Sequence, residues 1–231
     1  MTRRKSAAAG ADLFGVDERL TVLPAGVALL PAFARDGDVD RYGDHIGEKA
    51  LLSALNTVIE AAPLRHMVTP GGHAMSVAMT NCGRLGWVSD FAGYRYDPCD
   101  PDTGVPWPAM PSEFLELAVR AAQDAGYSGF VPDACLINRY EPGAKMSLHQ
   151  DRNERDFDAP IVSLSLGLAA VFQFGGLERT DPVQKLTLTH GDVMVWGGPA
   201  RLAYHGILPL KDGVHPVMGR MRMNLTFRKA G

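Results

Sequence analysis

The sequence predicts an α+β fold that is mainly β: a double-sheet antiparallel jelly roll (a double-stranded β-helix) with helices packed against it. In the second half of the chain, apolar residues alternate with polar or small residues in short stretches that are separated by Gly, Pro and Asp. Strands with this period of two, bounded by turn residues, are typical of antiparallel double sheets. The alternating stretches are 162–168, 186–189 and 222–228.

Two amphipathic stretches in the first half predict helices that pack on the sheet. From Glu48 to Ala62, leucine, valine and isoleucine recur at helical spacing, and Pro63 stops this pattern. A second helix is predicted from Ser112 to Ala125, where apolar residues fall on one face. Gly126 follows it at the position where a C-cap glycine is common.

Composition divides the rest of the chain. The first residues are polar and small, which predicts a flexible arm. The segment from Thr69 to Pro108 carries scattered tryptophan and tyrosine residues among Gly, Pro, Asn and Asp, which is more typical of a binding lid than of a core element. We expect a flexible arm (1–20), a helical elaboration (21–66), a recognition lid (67–110) and a jelly-roll core (111–231).

Charge and cysteine content exclude several classes of protein. The formal net charge of −3 argues against a protein that coats nucleic acid by bulk positive charge, although a local contact surface remains possible. The three cysteines, Cys82, Cys99 and Cys135, are too few and too scattered for a disulfide framework, which indicates a reducing compartment. No stretch is apolar for long enough to span a bilayer. We expect a cytoplasmic monomer without a membrane partner.

A metal site is indicated by His149 and Asp151. On a strand, residues two apart point to the same face, so the imidazole and the carboxylate converge while Gln150 points away. A histidine from a distant strand would complete a two-His, one-carboxylate triad, which leaves open positions on Fe(II). The candidates for that histidine are His190, His205 and His215.

His205 is the favoured third ligand because its surroundings are compatible with a strand edge. His190 precedes Gly191-Asp192 in a turn sequence, and His215 is followed by proline, which is typical of a loop. An HxD pair alone is also compatible with a structural histidine beside a surface aspartate. A second group of polar residues therefore matters.

The last alternating stretch places polar residues on one face, opposite Met, Leu and Phe. These are Arg222, Asn224, Thr226 and Arg228. Two inward arginines are costly without anions to pair with. Their backbones lie roughly 20 Å apart on a strand, and side chains leaning toward each other leave a gap about the length of a small dicarboxylate. Guanidinium groups match carboxylates two bonds at a time. Alternatively, Arg228 points to solvent past the strand end.

Several longer runs stand in order along the chain from about Met67. They include DACLINRYEPGAKMSLHQDRNE, PIVSLSLGLAAVFQFGG, HGDVMVWGG, YHGI and RMRMNLTFR. Together they resemble the AlkB family of Fe(II)/2-oxoglutarate-dependent dioxygenases. The resemblance implies Fe(II), 2-oxoglutarate and O2 as cofactors. It also implies oxidative demethylation of N-alkylated bases in DNA, of the 1-methyladenine and 3-methylcytosine type, with release of formaldehyde.

The resemblance also assigns roles to individual residues. It implies that the metal is held by His149, Asp151 and His205. It implies that 2-oxoglutarate is bound by Asn138, Tyr140, Arg222, Asn224 and Arg228, with Arg222 on the far carboxylate and Arg228 nearer the metal-bound end. The nucleotide-recognition lid also matches, and it implies that Trp87 stacks on an extruded base whose other face meets His205. Contacts with the nucleotide or its phosphates are implied for Thr69, Tyr94, Tyr96 and Arg179.

One position departs from the family pattern. Asn153 stands where bacterial members have an aspartate that meets the exocyclic amine of the base. An amide still accepts a hydrogen bond but lacks the charge that favours a cationic methylated base, so the lesion preference is open. The acidic residues that follow, Glu154, Asp156 and Asp158, predict a solvated turn.

Extruding a base costs a few kcal/mol, least in single strands or at damaged pairs, so single-stranded or lesion-containing DNA is the expected partner. Two other functions remain open. The same chemistry on RNA or tRNA is compatible with the composition and with Asn153. A silent module that only binds modified nucleic acid would be favoured by a missing metal ligand or cosubstrate arginine, and none is missing.

Overall fold

The computed structural model describes residues 23–35 and 47–231, so the predicted arm at 1–20 lies outside the described residues. The strands in these ranges are β1 (Val27–Leu30), β2 (Arg65–Val68), β3 (Ala74–Gly83), β4 (Gly86–Asp90), β5 (Gly93–Asp97), β6 (Ala134–Tyr140), β7 (Met146–His149), β8 (Ile161–Gly167), β9 (Ala170–Phe174), β10 (Gln184–Leu188), β11 (Val193–Trp196), β12 (His205–Ile207) and β13 (Arg222–Arg228). The helices are α1 (Glu48–Ala61) and α2 (Ser112–Asp124), and a short 3-10 helix spans Gly198–Ala200.

Two antiparallel sheets face each other. The major sheet has the strand order β1-β11-β8-β13-β6-β3-β2, and the minor sheet has the order β10-β9-β12-β7. Side chains from both sheets meet in one apolar cluster, in which Met194 and Trp196 of the major sheet pack with Phe172, Phe174 and Ile207 of the minor sheet. The fold is therefore mainly β with two packing helices, and the predicted jelly-roll class is confirmed.

Both predicted helices are present, and they cover the outer face of the major sheet. Their buried stripes join a second core with the outward apolar residues of β8, β11 and β13. Gly126 ends α2 with a φ of +91°, a conformation that a side chain would strain, as its C-cap position predicts. Neither helix in the described ranges is long and apolar enough to cross a membrane.

The turn-rich segment at 67–110 contributes to the sheet as well as to the surface. β3 pairs with β6 inside the major sheet, and only β4 and β5 form a separate two-stranded sheet. β3 shows no alternation in the sequence because it carries buried apolar residues on both faces, as the consecutive Val77, Ala78 and Met79 show. Likewise, the segment at 21–66 supplies the edge strand β1, which pairs with β11, in addition to its helix.

The central strand β13 places its polar face toward the minor sheet. It lies between β6 and β8, with Arg222 opposite Tyr140 and Asn224 opposite Asn138 on one side. On the other side Asn224 is opposite Ser165. The outer face carries Met, Leu and Phe, which pack against the helices. This alternation gives the interior between the sheets a polar stripe.

Replacing Phe227 by Ala tests the outer core. The ring of Phe227 is fully buried and meets Phe114 of α2 edge to face, with ring centroids 6.0 Å apart. We expect a loss of about 3–5 kcal/mol in the free energy of unfolding, measured by urea denaturation, because a large cavity is left. Replacing Phe91, which is 76% exposed, should change it by less than about 0.5 kcal/mol. Equal effects would contradict this packing.

Candidate metal and cosubstrate site

Two of the predicted ligands face each other across neighbouring strands of the minor sheet. His149 ends β7 and His205 begins β12, and the two are direct partners in the strand register. Their ring centroids are 4.4 Å apart. The register shifts after His205, at Gly206, where a Cβ atom would lie 2.6 Å from the carbonyl oxygen of Met146. Glycine is therefore required for the close approach that brings these strands together.

Both histidines present the same nitrogen to the space between them. The Nδ1 atom of His149 lies 2.9 Å from the carbonyl oxygen of Ser147, and that of His205 lies 3.0 Å from the carbonyl oxygen of Ala203. Because a carbonyl oxygen only accepts, each Nδ1–H donates, and each Nε2 lone pair is left free. Backbone carbonyls commonly orient metal-binding histidines in this way.

The carboxylate of Asp151 completes the group, but not from a strand as the HxD spacing predicts. β7 ends at His149, and Asp151 lies in the following loop. β7 ends at His149 because its partner strand β12 begins at His205. The preceding residue, Tyr204, forms backbone hydrogen bonds with residues 175 and 176 instead. The side chain of Gln150 points away, as predicted, and donates to the carbonyl oxygen of Leu202.

Arg228 holds the carboxylate of Asp151 in place, although Asp151 lies outside strand β7. Its Nε and Nη2 atoms donate to Oδ2 of Asp151 at 2.9 and 2.6 Å. Arg228 is 5% exposed, so the alternative in which it points to solvent past the strand end is wrong. Such a buried, charge-assisted pair holds its geometry firmly.

Burial and charge set the ionisation of the group. Burial alone would raise the pKa of Asp151, but the positive charge of Arg228, with further contributions from the two histidines, holds this pKa well below its ordinary value. Burial, together with the neighbouring His149, lowers the pKa of His205 to about 4. At neutral pH the site therefore offers an ionised carboxylate and a neutral His205, the forms that bind a metal ion.

The three side chains are suitable for one metal ion. Their ligand atoms lie within 4.8 Å of one another, and Nε2 of His149 and of His205 lie 3.6 and 3.8 Å from the oxygens of Asp151. Two imidazoles and one carboxylate on one side of an ion form the triad typical of non-haem Fe(II) oxygenases. His190 and His215 lie together elsewhere, stacked with ring centroids 4.3 Å apart, and His190 is 3.2 Å from Glu48.

A small buried cavity adjoins the two histidines. Its volume is about 50 Å³, several times the roughly 10–15 Å³ that one water needs. It is lined by all five residues predicted to bind 2-oxoglutarate, which are Asn138, Tyr140, Arg222, Asn224 and Arg228. The inward face of β13 and its register with β6 bring these five together.

Unpaired donors in this cavity fit a carboxylate. Arg222 is 1% exposed, and its Nη2 donates to Oγ of Ser165 at 2.9 Å. Its Nε and Nη1 atoms have no hydrogen-bond partner among the described residues. Burial lowers the pKa of Arg222, yet guanidinium remains charged at neutral pH. A buried guanidinium with two free donors fits a carboxylate, as one end of 2-oxoglutarate provides.

Sequence reasoning missed several residues that line this cavity. Ser163 belongs to the polar stripe, since its Oγ accepts a hydrogen bond of 2.8 Å from Nδ2 of Asn224. Trp196 and Phe172 close the cavity from the apolar core. The sequence feature that could have identified Ser163 is the alternation of residues 162–168. The apolar face is the more conspicuous one in the sequence, but Ser163 on the opposite face lines the cavity.

The β4–β5 hairpin brings the predicted base-binding residues close to the loop that carries Asp151. The rings of Trp87 and Tyr94 stack at 5.7 Å and 15°. The indole N–H of Trp87 donates to Oδ1 of Asn153 at 3.3 Å. Tyr94, Tyr96 and Asn153 line one cavity of about 370 Å³ at the surface. The hairpin and this loop therefore form one concave wall.

Glu154 is not part of a solvated turn, which corrects the interpretation of the acidic loop. Its side chain is only 2% exposed, and its Oε1 accepts a hydrogen bond of 2.6 Å from the hydroxyl of Tyr96. Arg201 and Arg228 lie 3.2 and 3.5 Å from its carboxylate oxygens. These two buried cations attract the carboxylate inward, and neither is adjacent to it in the sequence. Burial raises the pKa of Tyr96 well above its ordinary value, so it remains a donor.

The other two predicted nucleotide contacts lie apart from the hairpin aromatic residues. Arg179 donates to the carbonyl oxygen of Leu148 at 2.8 Å, and its guanidinium lies over the ring of Tyr204. Thr69 lies in the turn between β2 and β3, where its hydroxyl accepts from the backbone N–H of His73. No hydrogen bond within the described ranges joins Thr69 or Arg179 to Trp87.

Comparison with known proteins agrees with this geometry. Residues 41–228 match the model of the 2OG-Fe(II) oxygenase superfamily. The alpha-ketoglutarate-dependent dioxygenase AlkB of Escherichia coli (strain K12) is 57% identical over 209 residues, which are 90% of this chain and 92% of that protein. The chain therefore belongs to the 2OG-Fe(II) oxygenase superfamily and, within it, to the AlkB family. It is an Fe(II)/2-oxoglutarate-dependent dioxygenase, and its cofactors are Fe(II), 2-oxoglutarate and O2.

Two more distant relatives extend the comparison. The nucleic acid dioxygenase ALKBH1 of Mus musculus is 33% identical over 134 residues, which are 56% of this chain and 34% of that protein. The solved structure of OsALKBH1 superposes with a TM-score of 0.74 at 27% identity, covering 90% of this chain and 98% of that chain. The AlkB family thus includes a protein named for nucleic-acid substrates.

Single replacements of His149 or Asp151 by Ala test the metal site. Each should weaken Mn(II) binding, measured by equilibrium dialysis, at least about 100-fold, because a ligand is lost from a three-ligand site. Far-ultraviolet circular dichroism should stay unchanged. The matched control is His215→Ala, which removes a histidine outside the group and should leave the affinity unchanged. If only His215→Ala weakened Mn(II) binding, the metal site would instead lie at the His190–His215 pair.

Proposed function

We propose that this protein removes methyl groups oxidatively from N-methylated bases in DNA, of the 1-methyladenine and 3-methylcytosine type, and so repairs alkylation damage. One observation carries the proposal. The stacked Trp87 and Tyr94 are joined, through Asn153, to the same short loop that presents Asp151 to the metal position. A flat aromatic surface beside a metal triad is suited to an unstacked base.

In this proposal His149, Asp151 and His205 hold the iron, and Arg222 binds the far carboxylate of 2-oxoglutarate. Arg228 lies nearer the metal-bound end, since it contacts Asp151 directly. Asn138, Tyr140 and Asn224 line the space between them. When bound, Fe(II) with 2-oxoglutarate and O2 supplies the oxidation of the methyl C–H bond, coupled to decarboxylation of 2-oxoglutarate to succinate.

The work of the protein is to bind, to orient and to exclude water. The paired Arg228 keeps the carboxylate of Asp151 in one position, and the backbone carbonyls keep both imidazoles turned toward the metal. The apolar side chains of Phe172 and Trp196 exclude water from the cosubstrate cavity. Correct placement of the methyl group near the metal gives the rate advantage.

The β4–β5 hairpin is, in this proposal, the part of the predicted lid that contacts the nucleotide. Trp87 stacks on the base, and His205 meets the other face. Stacking supplies affinity that is independent of base identity. The tie between Tyr96 and Glu154 anchors the hairpin beside the metal position. Thr69 and Arg179 contact phosphates farther along the strand.

Single-stranded or lesion-containing DNA is the proposed partner because little energy is then needed to expose the base. A monomer suffices, since one chain carries the whole triad and the hairpin. Methylated RNA is the second candidate substrate. The observation in its favour is Asn153, whose neutral amide lacks the charge that would select a cationic base, together with the relative named as a nucleic acid dioxygenase.

The decisive experiment uses purified protein with Fe(II), ascorbate and 2-oxoglutarate. Matched DNA and RNA oligonucleotides, each with one 1-methyladenine or one 3-methylcytosine, are incubated and the loss of one methyl group is read by mass. We expect loss from DNA that requires Fe(II) and 2-oxoglutarate together. Loss from RNA only would replace the DNA proposal by the RNA one. Succinate formation without any loss would reject both nucleic-acid substrates and retain the dioxygenase.

Replacing Trp87 by Ala tests the stacking role. Base–aromatic stacking is worth about 1–3 kcal/mol per base, so KM for the oligonucleotide should rise about 10- to 100-fold. Formation of succinate in the absence of oligonucleotide should stay unchanged, because the cosubstrate cavity is intact. Phe91→Ala, at the exposed tip of the same hairpin, serves as the control and should leave KM unchanged. An unchanged KM in Trp87→Ala would exclude the stacking role.

A further inference from the structure

The loop from Gln150 to Pro160 carries three residues that matter for the site, yet it contains no strand or helix. Asp151 presents the metal carboxylate, Asn153 contacts Trp87, and Glu154 holds the hydroxyl of Tyr96. An irregular loop of this length does not hold its shape by its own backbone pairing. Something outside the loop has to keep these residues in register with the metal position.

Arg201 contacts the loop at three points along its length. Its Nη1 donates to the carbonyl oxygen of Asp151 at 2.8 Å, and its Nε donates to the carbonyl oxygen of Ala159 at 3.0 Å. Its Nη2 lies 3.2 Å from Oε2 of Glu154. The beginning, the middle and the end of the loop are therefore gathered on one guanidinium group.

The chemistry of this group suits the task. Arg201 is 3% exposed, so its three contacts do not compete with bulk water. A guanidinium is planar and presents donors in several fixed directions, whereas the ammonium of a lysine is a single point that cannot reach three separated acceptors. The ring of Phe157, from the same loop, lies 5.3 Å from the guanidinium carbon and covers it.

Arg201 is itself anchored close to the second metal histidine. It directly follows the 3-10 helix Gly198–Ala200, and its own N–H donates to the carbonyl oxygen of Gly198. His205 is only four residues further along. Gln150, the residue before the metal carboxylate, donates to the carbonyl oxygen of Leu202 at 2.7 Å. The segments that carry Asp151 and His205 are thus connected by Arg201 and by its sequence neighbour.

We propose that Arg201 is a positioning residue for the dioxygenase reaction: it fixes the 150–160 loop so that Asp151 meets the metal while Asn153 and Glu154 hold the base-binding hairpin. It acts through these residues and contacts neither metal nor substrate. Two separate functions depend on one loop, so loosening the loop impairs metal binding and also separates cosubstrate turnover from demethylation. The second of these consequences rests on the proposed function, and the first does not.

The test compares Arg201→Ala and Arg201→Lys with the wild-type protein. The matched control is Arg220→Ala, which removes an exposed arginine whose carboxylate partner is the exposed Asp212. Mn(II), which accepts nitrogen and oxygen ligands as Fe(II) does, is titrated by equilibrium dialysis. Succinate formed and methyl groups lost are then counted in the same reactions with a methylated DNA oligonucleotide.

Loss of an outer contact of a metal ligand costs about 10- to 100-fold in metal affinity. We expect Mn(II) binding to weaken about 10-fold or more in Arg201→Ala and the ratio of succinate to lost methyl groups to rise. Lysine should restore little, since it replaces at most one of the three contacts. Added methylguanidinium should partly restore both readouts in Arg201→Ala and change neither in Arg201→Lys or Arg220→Ala.

A lower Tm with unchanged Mn(II) affinity and unchanged coupling, in either variant, would overturn the proposal and leave Arg201 a purely structural residue. If the alanine variant fails to fold, Arg201→Lys decides by the same two readouts. If the wild-type protein loses no methyl group from any oligonucleotide, the proposed function fails, and the Mn(II) affinities alone then decide the role of Arg201.

Discussion

The need to neutralise two buried arginines on β13 governs the arrangement of this protein. Arg222 and Arg228 point into the space between the sheets, where an unpaired charge is very costly. Arg228 is satisfied by Asp151 and Glu154, which draws the loop after β7 inward against the sheet. Arg222 keeps free donors that suit an external carboxylate. β13 therefore both holds the carboxylate of Asp151 in position and supplies the donors of the cosubstrate cavity.

The fold could be predicted from the sequence to the extent that each element has one apolar face. β8, β10 and β13 alternate strictly, and α1 and α2 have clear apolar stripes, so their positions follow from period alone. β3 carries apolar residues on both faces, so it shows no alternation, and β1 is too short to show one. The pairing of β3 with β6 depends on tertiary contacts, which no local sequence pattern reveals.

The candidate site divides in the same way. A spacing of two along a strand has a geometric meaning, so the sequence predicts the grouping of His149 with Asp151 and the polar face of β13. The structure does bring Asp151 close to His149, but a loop and not a strand brings it there. The prediction of a solvated Glu154 is wrong, because its partners Arg201 and Arg228 are far away in the sequence. Ion pairs with residues that are distant in the sequence determine the burial of Glu154. The charges of its sequence neighbours do not reveal these pairs.

The position of β13 also has a consequence for folding. It is the last strand in chain order, yet it lies in the middle of the major sheet, between β6 and β8. Until β13 inserts, β6 and β8 each have an unpaired edge, and the major sheet remains in two halves. Such unpaired edges can pair with strands of other chains. Contacts between strands so distant in the sequence also form slowly. Synthesis of this protein therefore passes through a stage in which every strand before β13 has been made but the central strand of the major sheet is still missing.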